Sequence, residues 1–263
     1  MGDFPQNFQM LKTAEDDLRA QSIRLIEADP DLSLHAEMIE RVMDTLQFYR
    51  ISHDEKSQEQ TAIKLLGARL FNSMAAAMKL TLSGYYQAAT THVRDILETT
   101  FLLDFFTTDL TLVARWSQIS EQDRTREFGQ FKIRTALDER DGYSTRKRHE
   151  HYKLLCNLAS HPTFEGLELL RPAPGELAMM GPFLSPSLLR AVIEELVKVC
   201  MLASDVFVVF FPAQTLEQMF VSVARIEASA AWFKRVFGVD KSKEIAEMKA
   251  AAAAIAAVSK GGR

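Results

Sequence analysis

Residues 57–107 read SQEQTAIKLLGARLFNSMAAAMKLTLSGYYQAATTHVRDILETTFLLDFFT, and their periodicity decides the fold class. Ile63, Leu66, Leu70, Met74 and Met78 recur at steps of three and four, which predicts one long helix over Ser57–Leu82. Gly84 breaks it. The period resumes from Tyr85 to Thr107. At about 100° per residue, Tyr86, Ala89, Val93, Ile96, Leu97, Phe101 and Phe105 share a broad apolar arc, and Thr91, His92, Asp95 and Thr99 face away from it. Two long amphipathic helices joined at a glycine must bury their apolar faces against further elements. The expected fold is an all-α, up-and-down helical bundle.

The flanking sequence supplies those elements. Eleven glycines and eight prolines are few for 263 residues, and five of the prolines fall between Pro162 and Pro186, so little else interrupts a helix. Upstream, helices are expected at Phe8–Ala28 and Leu34–Arg50, parted by the ADPD turn at Pro30. Downstream they are expected at Leu110–Gln118 and over the charged stretch Glu121–Glu139. After a turn at Asp141–Gly142, Ser144 or Thr145 can cap a helix running to about Ser160. Pro162 disfavours helical geometry at His161 and ends it there. Thr163–Ser185 contains GLELLRPAPGELAMMG, two short apolar runs around a Pro-Ala-Pro-Gly turn, and reads as a small hairpin or an ordered loop. Ser185-Pro186 is a restart signal, a capping serine with proline at the first helical position. Ser187–Phe211, Thr215–Phe237 and Lys241–Val258 complete the helices. No internal repeat or long linker divides the chain, so residues 1–263 read as one domain, with a core at 57–211 and flanking helices in 1–56 and 212–263.

Composition narrows the function classes. With 47% hydrophobic and 25% charged residues the chain can bury a sizeable core. A net charge of -4 argues against broad nucleic-acid binding, and DNA is not an expected partner. A local patch for RNA or a nucleotide stays open. The opening residues, MGDFPQNFQML, lack a basic segment followed by a long apolar run, so a cytoplasmic location is expected. The most apolar stretch, LVKVCMLASDVFVVFF at Leu196–Phe211, carries Lys198 and Asp205 and is shorter than the roughly 20 residues of a membrane span. It reads as a core helix, and no membrane partner is expected. Cys156 and Cys200 lie far apart and read as buried thiols. The apolar C-terminal helices and the alanine-rich tail offer more hydrophobic surface than a monomer leaves exposed, which points to a homodimer.

Several catalytic signatures are absent. There is no GxGxxG, P-loop, GxSxG or HExxH pattern. His149 and His151 are two apart, on different sides of a helix, and no glutamate stands three residues before a histidine. Neither a metal nor a cofactor is expected.

Three constellations remain. Arg94 and Glu98 form an i,i+4 pair at the edge of the apolar arc, which reads either as an internal salt bridge or as one wall of a polar pocket. In CNLASHP, residues 156–162, Asn157 and His161 share a face with Ser160 alongside. His161 sits at a helix C-terminus, where the dipole favours its protonated form, so it is the best acid–base candidate among the six histidines, or else a cap for carbonyls. The basic run Arg146-Lys147-Arg148-His149, continued by His151 and Lys153, can hold phosphate or form a solvated helix face. Convergence of Arg94, Glu98, Asn157, Ser160 and His161 between two helices would make the binding site, with His161 and Arg94 as its catalytic pair.

The helix with Arg94-x-x-x-Glu98, the helix ending in Asn157-x-x-Ser160-His161-Pro162 and the Pro/Gly-rich segment after it are similar to the helical HEPN-like proteins. The nearest match is an uncharacterised bacterial branch with an Arg…Glu helix and a Ser-His-Pro turn, over roughly Ser57 to Phe211. Active members of that superfamily look like metal-independent ribonucleases. They use an arginine, a following polar residue and a histidine four to six residues on, often paired across a dimer. The resemblance implies that His161 and Asn157 are the histidine and the polar residue. Cys156 stands at the arginine position and cannot stabilise an oxyanion as a guanidinium does. Arg146-x4-His151 also meets the bare spacing. Three readings follow: a binding or regulatory protein with a stress or defence role by analogy, a ribonuclease in which Arg94 supplies the positive charge, and a structural scaffold.

Overall fold

The computed structural model describes the backbone of residues 4–261, and the side chains of all of these except 160 and 258–261. Among the described residues the fold is all-α, with no strand. The first half holds α1 (Gln6–Glu27), α2 (Pro30–Ser52), α3 (Gln58–Leu82), α4 (Tyr86–Phe106), α5 (Thr111–Gln118) and α6 (Glu121–Glu127). The second holds α7 (Gln130–Arg140), α8 (Lys147–Leu155), α9 (Phe164–Glu168), α10 (Pro186–Val208), α11 (Leu216–Phe237) and α12 (Ser242–Gly261). Several starts follow from their own caps. Asp29 accepts from the N–H groups of Asp31 and Leu32, at 3.0 and 3.1 Å, ahead of Pro30 at the first position of α2. Ser57, Ser185 and Thr215 cap α3, α10 and α11, and Gln218 closes a capping box with Thr215.

The centre of the bundle is α4. It packs against α3 and α10 on one side and against α7 and α8 on another. Val93, Ile96, Leu97, Leu103 and Phe106 are all buried, each contributing about 1.5–3 kcal/mol of transfer free energy. Because α4 is so enclosed, Thr99 is buried rather than facing away, and Asp95 is half-buried against Arg69 and Ser73 of α3. The apolar segment at Leu196–Phe211 is indeed core: Leu196, Cys200 and Phe207 are fully covered, against α2, α3 and α4. No helix among the described residues is long and apolar enough to cross a membrane. At Gly67, α3 and α10 come so close that a Cβ would lie 2.6 Å from Phe207 Cζ. Both cysteine thiols are free and buried, and burial pushes the Cys200 thiol pKa well up.

Two expectations are corrected and two are sharpened. Glu121–Glu139 is not one helix: it breaks at Phe128–Gly129 into α6 and α7, which turns Phe128 inward to meet Phe105 and Phe106 edge-on at 6.2 and 6.1 Å. A Cβ at Gly129 would lie 2.7 Å from the Thr125 carbonyl oxygen, so the bend needs glycine. Neither Ser144 nor Thr145 caps the next helix, which starts at Lys147 behind Arg146 with no side-chain cap. Its last turn, Cys156–Ser160, widens into a π-helix that ends with the His161 N–H donating to the Cys156 carbonyl at 3.2 Å. Of the two forms open to Thr163–Ser185 the ordered loop is found, with no hairpin among the described residues: α9 leads into a loop closed by Met179 N–H donating to the Leu170 carbonyl at 2.8 Å. That loop is pinned at Gly84, whose φ of 82° lets its backbone lie against Phe183, and a Cβ there would meet Phe183 N at 2.8 Å.

Candidate functional site

The helix pair flagged in the sequence does meet. The π-helical turn and α8 run antiparallel to α4, with Thr91 donating to the Ala159 carbonyl at 3.3 Å and Gln87 to the Gly166 carbonyl at 2.9 Å. One register step further along, Arg94 and Glu98 face Tyr152 of α8. Arg94 Nε and one Nη donate to the same Glu98 oxygen at 3.1 and 2.6 Å, and the Arg94 guanidinium lies 5.6 Å from the Tyr152 ring centre. Both charged side chains are half-buried. Burial opposes the Arg94 charge, but the Glu98 hydrogen bond and charge outweigh it and the pKa goes up.

A third element adds a residue the sequence reading passed over. Arg134, on α7, is only 4% exposed, and its guanidinium stacks 3.7 Å from the Tyr152 ring centre. Its Nε and one Nη are buried with no acceptor among the described residues. Burial pulls its pKa down, against the pull of Tyr152. Tyr152 is thus approached by two guanidiniums, which face the single carboxylate of Glu98. Its own phenol is pushed up to about 12, by burial first and then by Cys156 and Glu98, so it stays protonated at neutral pH. The cluster carries one positive charge in excess, in a setting where charge is costly to leave unbalanced.

The remaining sequence candidates fall around this cluster in different ways. Asn157 is half-buried, and its carbonyl accepts from the Thr163 hydroxyl, which fixes the start of α9. Ser160 belongs to the π-helical turn, but its side chain lies outside the described residues. His161 is exposed, follows Ala159 toward the Gln87 end of α4, and its ring makes no hydrogen bond among the described residues. Cys156, not His161, borders Arg94 and Tyr152. The basic run divides. Arg148 binds Asp138 at 2.8 Å and also Asp141 and Asp104, and His151 pairs with Glu195 of α10, which ties α8 to α7, α4 and α10. Arg146, Lys147 and Lys153 are exposed.

Arg134 was hard to see because Glu121–Glu139 looks uniformly charged. The signal was local: Arg134 lies between Ile133 and Leu137 on the buried face of α7, one turn before Asp138. Among the described residues no group of three or more His, Cys, Asp or Glu is placed to hold a metal. Comparison of the chain with protein-family models, with well-characterised proteins and with solved structures finds no match.

Proposed function

We propose that this chain is a HEPN-like helical binding or regulatory protein of the cytoplasm, which captures the phosphate of a nucleotide or of RNA at the Arg94–Arg134–Tyr152 cluster. The observation that carries this reading is Arg134, a buried arginine with two donor nitrogens lacking acceptors among the described residues, stacked on a tyrosine beside a second arginine. An anion satisfies such donors and balances the excess charge, and guanidiniums match the oxygens of phosphate in a bidentate manner. The π-helical turn beside the cluster supports the same reading, since such turns gather at functional sites. Binding is favoured over cleavage because the Glu98 carboxylate beside the arginines is held in an ion pair with Arg94, and the Tyr152 phenol, pushed up to about 12, is a poor proton acceptor at neutral pH. The reading includes a homodimer through the C-terminal helices, where Phe220, Phe237 and Ile255 are exposed.

The test is fluorescence anisotropy with a labelled single-stranded RNA oligonucleotide and, in a second arm, a labelled nucleoside monophosphate. Saturable binding is expected in at least one arm, weakened at least about tenfold by Arg134→Met and unchanged by Arg69→Ala on the exposed face of α3. Absence of saturable binding in both arms, or full binding by Arg134→Met, overturns the reading. Loss of intact RNA without added metal, abolished by His161→Ala, would instead favour the ribonuclease. Light scattering should give twice the 29.7 kDa chain mass.

A further inference from the structure

The α2–α3, α4–α5 and α10–α11 connections meet around a cleft of about 770 Å³, within the range of small-molecule sites. We propose that it binds an organic amine or quaternary ammonium carrying an apolar body. This site is separate from the arginine cluster and does not depend on that reading.

The apolar half of the ligand follows from the floor and mouth. Ile63, Val113 and Phe211 form a buried floor, while Leu110 and Val209 at the mouth are exposed and offer apolar surface that a ligand would cover. His53 anchors one wall. Its Nε2 lies 3.2 Å from the Pro212 carbonyl, which can only accept, so Nε2 carries a proton, and Nδ1 lies 3.2 Å from the Ser52 hydroxyl.

The cationic half follows from a tally of helix ends. Each of the three helices that begin here has a first-turn amide matched by a side chain: Ser57 caps α3, Thr215 caps α11, and Asp109 accepts from Thr111 N–H at 2.9 Å at the start of α5. Two of the helices that end here, α4 and α10, have no basic residue in their last turn, so their carbonyl ends keep an uncompensated negative potential. On the rim, Asp54 and Glu59 face one lysine, Lys56. The ammonium of Lys64, just behind, is consumed by the His53 carbonyl and by Glu55 at 3.6 Å. Phe210 and Phe211 add aromatic rings to the lining, a residue type that attracts cations. A carboxylated ligand of the same shape would face Asp54 and Glu59 at the rim and the carbonyl ends of α4 and α10.

The experiment is isothermal titration of the full chain with decyltrimethylammonium below its micelle concentration, set beside decanoate and decanol. One-site saturable binding of the ammonium is expected, at least about tenfold tighter than decanoate. Combining Asp54→Asn with Glu59→Gln, both at the rim, should abolish that preference and leave decanol binding as it was. Ala114→Trp on the cleft wall should block all three ligands, with circular dichroism reporting that the variant folds. If it does not fold, the rim pair decides alone. The proposal is overturned if no ligand saturates, if decanoate binds as tightly as the ammonium, if the rim pair leaves the preference intact, or if folded Ala114→Trp binds normally.

Discussion

Replacing Arg134 with methionine should make the protein more stable and functionally deficient at once. In the free protein two buried guanidinium nitrogens lack acceptors, and each such donor costs about 1–3 kcal/mol. The stack on Tyr152 returns about 2 kcal/mol in a desolvated setting. Methionine is of similar length, buries no donor and can keep a sulfur–ring contact of about 1 kcal/mol. The balance favours the variant by about 2 kcal/mol, in line with the gains seen when buried charges give way to well-packed apolar residues. For a chain of this size that corresponds to a rise in Tm of about 4–8 °C. Urea denaturation followed by circular dichroism measures the free-energy difference, and anisotropy with the labelled nucleotide measures the loss. A variant less stable than the parent by 1 kcal/mol or more would refute the reasoning, because Arg134 would then be a packing residue whose cation–π contact is its purpose.

Two further outcomes test the frame around the site. Gly67→Ala should destabilise by about 1–2 kcal/mol despite alanine's better helix propensity, because the new methyl meets the fully buried Phe207 ring; adding Phe207→Leu should recover part of the loss in a double-mutant cycle by urea melts, whereas a stabilised single variant would contradict the α3–α10 spacing. His35 is buried and its Nδ1 accepts from Trp232 Nε1 at 3.0 Å, and burial lowers its pKa, so the unfolded chain takes up a proton that the folded one refuses. Stability should therefore fall as the pH drops below about 6.5, the ordinary histidine value, and His35→Asn should flatten that slope in melts followed by tryptophan fluorescence.

Most of the fold was legible because it rests on local signals that tertiary packing reinforced. Ser185 with Pro186 announces a helix start by chemistry confined to four residues, whereas Asp29-Pro30, which reads as a turn before a helix at Leu34, is itself the cap and first residue of α2. What escaped needs information from elsewhere in the chain. Glu121–Glu139 looked like one charged helix; it breaks at Gly129 because Phe128 finds Phe105 and Phe106 across the core. Thr99 looked exposed from the arc of α4 alone, but enclosure by neighbouring helices buries it. The candidate site was half-legible for the same reason. Arg94 and Glu98 are one turn apart and could be paired on paper, whereas Arg134 and Tyr152 join them only through the packing of α7 and α8 on α4.

The central claim is that the Arg134 guanidinium receives an anion. It is tested most directly by proton–nitrogen correlation spectra of the arginine Nε–H groups during titration with a nucleoside monophosphate, with the parent nucleoside as control. The account predicts that one resonance, identified as Arg134 by its loss in Arg134→Met, moves saturably with the monophosphate and stays still with the nucleoside. An Arg134 resonance that does not respond to the monophosphate, while the protein binds it elsewhere or not at all, would contradict the account.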